Sequence, residues 1–287
     1  MNTVKIWPYS YGSVSSSILT RALRDKGVQA RRLAKNGTWS QQASTNHIPI
    51  INWGNSVLDE RVDTNTRRVI NPTDFVNNCS HKGRCLGILS QDIHPVQRVK
   101  PVFNTANPYV VYDMLELGHK MVARHKLRGH SGQGIQILKQ GDTIPDAPLF
   151  TRYIKKKAEY RMHFVIDHNA NVNTLLQQKK RNRDIPDEEV DWEVRNYHNG
   201  FIYSVNSVDP LPGEEQWVLA GLTPLLQRVP DHPVFGAVDL VVANNNNPGI
   251  EEDSVHILEV NTAPGLLSPT LIEFYAENLK QTIHSMR

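Results

Sequence analysis

A lone carboxylate inside an apolar strand restricts this chain more than any other feature. Residues 234–243 read VFGAVDLVVA, apolar apart from Asp239, and a second apolar run, VHILEV, begins at Val255. Burying an ionised carboxyl with no counter-charge is costly, so something must meet Asp239. The second run ends in EVNTAPGL at 259–266, where Glu259 and Asn261 are two residues apart and point to one face of a strand. If the two runs pair across the polar loop NNNNPGIEEDS (244–254), Asp239, Glu259 and Asn261 converge. Hard oxygen donors suit magnesium, which takes few protein ligands and completes its shell with water and phosphate. The same residues admit a second reading, in which Asp239 meets an arginine and Asn261 starts a turn.

The rest of the chain divides by texture. VKIW at 4–7 reads as a strand, followed by a helix with Val14, Ile18, Leu19, Ala22 and Leu23 on one face and Gly27 as its stop. VQARRL (28–33) and HIPIINWG (47–54) read as strands, which makes a small α/β unit of about a hundred residues. A helix is expected within 74–91, and Pro95 and Pro101 mark a boundary after it. KMVARHKL, GIQILK, PLFTRYI, YRMHFVID and NVNTLLQQKK then read as strands. Helical character returns at 214–228. A closing helix starts at Pro269, with Leu271, Ile272, Tyr275, Leu279 and Ile283 as its apolar stripe.

Two further features bear on chemistry. RGHSGQGI (128–135) lies between two strands, and its glycines at 129, 132 and 134 let backbone N–H groups approach a phosphate, although an ordinary glycine hairpin reads the same way. The middle strands are rich in cations: Arg124, Lys126, Lys155, Lys156, Lys157, Arg161, Lys179, Lys180, Arg181 and Arg183. Cations placed in this way neutralise charge that shifts between phosphate oxygens. No zinc spacing of histidines and no Ser-His-Asp arrangement is legible. The 287 residues carry 32 basic and 29 acidic side chains, a balance that allows an anionic partner without requiring one. No long apolar N-terminal segment and no membrane-length run occurs, and the only cysteines are Cys79 and Cys85, so the cytoplasm is the default expectation.

In their order along the chain these features resemble the ATP-grasp superfamily, nearest to its D-alanine–D-alanine ligase and ribosomal-protein glutamate ligase branches. AVDLVVA followed by LEVNTAPGLLSPTL is similar to that family's strand, hairpin and Glu-x-Asn-x-x-Pro-Gly run. RGHSGQGI stands where its phosphate-covering loop lies, YIKKKAEYRMHFV resembles its nucleotide-binding connection, and SHKGRCLGILSQDIHPV resembles its lysine-bearing helix. The resemblance implies an α/β fold with a small Rossmann-like N-terminal domain (1–100), a small lobe with the glycine loop (101–155) and a C-terminal lobe with the metal site (156–287), the two lobes clasping ATP.

Carried over residue by residue, the resemblance implies Asp239, Glu259 and Asn261 as ligands of Mg²⁺, with Mn²⁺ as the substitute ion. It implies nucleotide contacts from Lys82, Arg124, Gly129, Ser131, Gly132 and Gly134. The backbone of Arg152, Tyr153 and Ile154 would meet adenine, and Glu159 the ribose. Arg161 and the group Lys179, Lys180 and Arg183 would face the γ-phosphate or the substrate carboxylate, with Ser268 and Thr270 near the acceptor. Two departures stand out: the family usually has lysine where Arg124 stands, and Ala237 replaces an arginine found in many D-alanine ligases. The activity implied is ATP-dependent joining of a small-molecule or peptide carboxylate to an amine through an acylphosphate. The rivals are a kinase on the same fold, a nucleic-acid-binding protein without catalysis, and a ligase acting on a protein or nucleic acid. No membrane partner is implied, and a homodimer is allowed.

Overall fold

The structure, a computed structural model, describes residues 3–33, 48–57, 68–91, 99–128, 134–212 and 215–286. The chain opens with β1 (Thr3–Pro8) and α1 (Val14–Asp25). The Ser13 side chain caps α1 by accepting the Ser16 N–H at 3.3 Å, and Gly27 stops it at φ +79°. The buried face of α1 is Ser16, Leu19, Thr20 and Leu23. Val14, expected on that face, is 68% exposed, because at helical spacing it lies about half a turn around from the buried row. β2 (Gln29–Arg32), β3 (Ile50–Trp53) and β4 (Val69–Ile70) complete a parallel sheet of order β2-β1-β3-β4.

The single helix expected within 74–91 is two, α2 (Thr73–Ser80) and α3 (Lys82–Leu89). His81 is extended between them and recaps the chain, its Nδ1 accepting the Arg84 N–H at 3.1 Å. β5 (Val99–Pro101) and β6 (Asn104–Thr105) follow. Then comes α4 (Pro108–Glu116), which the sequence reading left unassigned. Its start is written in Asn107, which caps the Tyr109 N–H at 3.0 Å, and in Pro108 at the first helical position.

β7 (Met121–Arg124), β8 (Ile135–Leu138) and β9 (Leu149–Arg152) join β6 in an antiparallel sheet of order β6-β9-β7-β8. The largest sheet has the order β12-β11-β10-β13-β14-β5. Its long strands are β10 (Lys156–Ile166), β11 (Val172–Arg181), β13 (Val234–Ala243) and β14 (Val255–Asn261), with β12 (Phe201–Ser204) and β5 at the edges. α5 (Glu215–Gly221) and α6 (Thr223–Leu226) occupy the expected helical stretch, and α7 (Pro269–Ser285) closes the chain. None of the described helices is long and apolar enough to cross a membrane.

Strand alternation gives the large sheet two unlike faces. Tyr160, Met162, Phe164, Val238 and Leu240 pack against α2, α3, α5 and α6, so residues 73–89 share a core with this sheet. On the opposite face, Val165 and Phe235 meet Leu271, Tyr275 and Leu279 of α7 and the core of the parallel sheet. Further along that face the side chains become polar, and there the large sheet faces the β6–β9 sheet across a cleft.

Candidate active site

The polar face is one row of side chains running across five strands. Tyr203 of β12 lies opposite Lys179 of β11, and Gln177 of β11 lies opposite Arg161 of β10. Arg161 in turn faces Asp239 of β13, and Asp239 faces Glu259 of β14. Arg161 donates from Nε to Asp239 Oδ1 at 2.6 Å and from Nη2 to Oδ2 at 2.7 Å. Burial pushes the Asp239 carboxyl up, but the Arg161 guanidinium outweighs it and holds the group below the usual carboxylate range. Asp239 therefore has both neighbours that the sequence suggested, an arginine and a facing carboxylate. Lys82, the first residue of α3, brings its Nζ to 3.0 Å from Glu259 Oε2, and Asn261 Nδ2 donates to Glu259 Oε1 at 3.3 Å.

The alternation along β14 is interrupted by a β-bulge. Asp239 pairs with Glu259 and Leu240 with Ile257, which leaves Leu258 without an opposite number. Leu258 and Glu259, though adjacent in sequence, consequently both line the cleft.

Glu159, two residues before Arg161 on β10, is 4% exposed. Lys179 Nζ lies 2.6 Å from its Oε2, Lys156 Nζ 3.3 Å from its Oε1, and Arg195 Nε 4.0 Å away. Burial alone would raise this carboxyl, but Lys179 and Lys156 bring it below its ordinary value. Arg124 on β7 donates to Thr151 Oγ1 at 3.2 Å. Burial lowers its pKa, and Glu259 pulls the other way.

The cleft is open to solvent and spans about 990 Å³ with the solvent at its mouth included. One stretch of wall is apolar, from Val122, Ile135, Ile137, Ile154, Val241 and Leu258, with Tyr153 beside it. Burial pushes the Tyr153 phenol up to about 12, which keeps it protonated at neutral pH. The remaining wall is charged: Lys82, Arg124, Lys126, Lys156, Lys179 and Arg195 against Glu159, Asp239 and Glu259. A flat hydrophobic body fits the first stretch and a polyanion the second.

Of the residues singled out from the sequence, Lys82, Arg124, Arg152, Tyr153, Ile154, Glu159, Asp239 and Glu259 line this cleft. Arg161 and Asn261 adjoin it through Asp239 and Glu259. Gly134, at φ +69°, precedes β8, and a Cβ there would come within 3.3 Å of Lys126 Cγ. Gly129, Ser131 and Gly132 lie outside the described residues. Three expected catalytic groups stand elsewhere. Lys180 is one residue out of phase with Lys179, so alternation turns it to the other face, where its Nζ meets the Ser207 carbonyl. Arg183 is exposed beyond the end of β11. Ser268 caps α7, its hydroxyl accepting the Leu271 N–H at 3.3 Å, with Thr270 in the first turn.

Sequence reasoning missed the contribution of residues 193–196, between β11 and β12, which line the cleft although no periodicity marks them. It also missed Val122, Ile137 and Tyr203, which strict alternation from Arg124, Ile135 and Phe201 would have found.

The donor set can be tested against a divalent ion. Asp239, Glu259 and Asn261 supply hard oxygen donors from adjoining strands. The two carboxylates already carry Arg161 and Lys82, so the four charges cancel. A dication arriving with a polyphosphate brings its own counter-charge, whereas a bare dication does not. The residues therefore fit a magnesium ion bound together with phosphate. Among the described residues no three of the His, Cys, Asp and Glu side chains gather as a metal cluster, so a third protein donor beside Asp239 and Glu259 would be the carboxamide of Asn261.

No protein-family model matches the chain, and no curated protein sequence matches it. Solved structures do. D-alanyl-alanine synthetase A from Vibrio cholerae O1 biovar eltor aligns over 99% of this chain and 98% of its own, with a TM-score of 0.64 at 11% identity. D-cycloserine synthetase DcsG aligns over 100% of both chains, with a TM-score of 0.62 at 15% identity. The chain has the ATP-grasp fold. A Chryseobacterium gregarium RiPP-associated ATP-grasp ligase, in complex with ADP and a leader and core peptide, covers 98% of this chain and 97% of its own at 12% identity and a TM-score of 0.59. The β6–β9 sheet and the large sheet form two lobes, and the apolar and cationic walls of the cleft lie between them.

Proposed function

We propose that the chain is an ATP-dependent carboxylate–amine ligase. The observation that carries this reading is the facing pair Asp239 and Glu259, with Asn261 beside them, at the cationic end of a cleft whose other end is apolar. ATP placed there lays its base against Val122, Ile137, Ile154 and Leu258, its ribose beside Glu159, and its phosphates among Lys82, Arg124 and Lys126. Asp239, Glu259 and Asn261 would hold magnesium, which offsets the charge that moves between oxygens as a phosphoryl group transfers. Arg161 keeps Asp239 ionised and aimed.

A substrate carboxylate oxygen attacks the γ-phosphorus, the bond to the β–γ bridging oxygen breaks, and ADP leaves. An amine then attacks the acyl carbon, the carbon–oxygen bond to phosphate breaks, and the amine loses a proton, leaving an amide and free phosphate. The cleft is open to solvent, so protecting the acylphosphate from water would require it to close over the substrates. The peptide-bound Chryseobacterium neighbour and the small-molecule synthetases of the same fold together make a peptide or an amino acid the first substrates to try.

The cations of the central strands are mostly engaged by partners within the chain. Lys157 pairs with Asp253 at 2.7 Å, Lys179 with Glu159 at 2.6 Å, and Arg181 with Asp187. That internal pairing favours a catalytic reading over a nucleic-acid-binding surface.

The test is ATP-dependent phosphate release across a panel of amino acids, peptides and amines with Mg²⁺. Release that requires both a carboxylate and an amine is expected, and Glu259→Gln should lower it by about a hundredfold or more while the protein stays folded. Phosphate recovered on a hydroxyl would replace the ligase with a kinase. Wild-type turnover in Glu259→Gln would remove the metal assignment.

A further inference from the structure

The polar row ends in a residue with no obvious part in nucleotide chemistry. Tyr203, on the short edge strand β12, presents its ring to two cations at once. The Arg161 guanidinium carbon lies 4.3 Å and Lys179 Nζ 4.8 Å from the ring centroid. Its hydroxyl makes a long contact, 3.4 Å, to Asp239 Oδ1.

These three contacts fall where the row is least stable by itself. Arg161 and Lys179 are like charges on neighbouring strands, and each is assigned to a different carboxylate, Arg161 to Asp239 and Lys179 to Glu159. Their mutual repulsion would drive them apart, or let one carboxylate capture both. An aromatic ring is negative on its face, so a ring shared by both cations offsets their repulsion without adding a formal charge. A carboxylate there would compete with Asp239 and Glu159 for the same cations, and an aliphatic side chain would leave the repulsion uncompensated. The β11–β12 register, with Tyr203 directly opposite Lys179, brings the ring to this position from the edge of the sheet.

We propose that Tyr203 is a positioning residue: its ring partitions the two cations, so that Arg161 is fixed on Asp239 and Lys179 on Glu159. It touches no reacting atom and acts through those two pairs. The kinetic part of the test rests on the nucleotide-site reading above, and the spectroscopic part does not.

The spectroscopic part follows the Arg161 Nε–H resonance in the nucleotide-free protein, assigned by its loss in Arg161→Lys. This proton is expected to exchange slowly with water in the wild type and in Tyr203→Phe, which keeps the ring. In Tyr203→Met, which keeps the bulk without the ring, exchange should accelerate about tenfold, the scale of one buried cation–π contact. If the methionine variant does not fold, as judged by its melting transition, Tyr203→Leu takes its place. An unchanged exchange rate in the ring-deleted variant overturns the proposal.

The kinetic part measures phosphate release. kcat/KM for ATP should fall about tenfold in the ring-deleted variant and stay within about threefold of wild type in Tyr203→Phe. Equal losses in both variants would assign the effect to the hydroxyl and overturn the role of the ring. A lowered melting temperature with unchanged exchange and kinetics would leave Tyr203 a packing residue only. Accelerated exchange in a protein that binds no nucleotide would uphold the positioning role and remove the functional reading instead.

Discussion

His163 shows how far proton counting reaches in this core. It is buried beside the polar row, with Nδ1 2.8 Å from the Tyr275 hydroxyl and Nε2 2.8 Å from the Gln177 carboxamide. Gln177 Oε1 faces Nε2 and can only accept, so the neutral ring donates from Nε2–H and leaves Nδ1 as an acceptor facing the Tyr275 hydroxyl, which also lies 2.9 Å from the Gly236 carbonyl. Burial lowers the His163 pKa from 6.5 to about 4, with the nearby Arg161 adding to the effect. Between those values the unfolded chain binds the proton and the folded one does not. The stabilising contribution is therefore complete above pH 6.5 and is lost as the pH falls toward 4. Wild type should lose about 2 kcal/mol of stability from this group between about pH 6.5 and pH 5. The check is the urea midpoint at both pH values in wild type and His163→Gln, and an equal pH dependence in the two proteins would contradict it.

At the scale of the strand, one residue of phase decides what a side chain can do. Lys179 lines the cleft and pairs with Glu159, whereas Lys180 lies on the opposite face at the Ser207 carbonyl. Lys179→Ala should cut kcat/KM for ATP by about tenfold to a hundredfold, the scale of a charge-assisted hydrogen bond, and Lys180→Ala should leave it within about twofold. Comparable losses would mean the strand register is not the one described. The same phase explains what the sequence disclosed. The apolar runs around Asp239 and Glu259 located β13 and β14, because only those strands combine unbroken hydrophobicity with isolated polar groups. Glu159, Tyr153 and Ile154 came from the family resemblance. What stayed hidden lacks periodicity or depends on partners far away in sequence: β4, β5 and β6 are two or three residues long, and residues 193–196 reach the cleft only through the tertiary fold.

For the whole molecule, the lobes are joined by more than the 153–155 connection. Lys120, just before β7, ion-pairs with Glu193 at 2.5 Å, and Lys156 of β10 donates to the Glu193 carbonyl at 2.6 Å, so one residue is held from both sides of the cleft. A ligand that fills the cleft binds only the folded arrangement and should raise its melting temperature. ADP with Mg²⁺ at about a hundred times Kd should add about 2.7 kcal/mol. Mg²⁺ alone should add almost nothing, because Arg161 and Lys82 already neutralise Asp239 and Glu259. A melting curve that shifts as far with the bare ion as with the nucleotide complex would show that the two cations are not competing for the site. The bulge at Leu258 has a consequence at this scale too. Removing Leu258 would leave Ile257 against Leu240 and Glu259 against Asp239, a regular ladder in which no other side chain changes sides. Leu258 is thus a supernumerary residue. The apolar surface that Leu258 gives the cleft is an addition to the strand that carries Glu259 and Asn261, so the two can diverge separately, and a change in the shape of the apolar wall need not disturb the polar row.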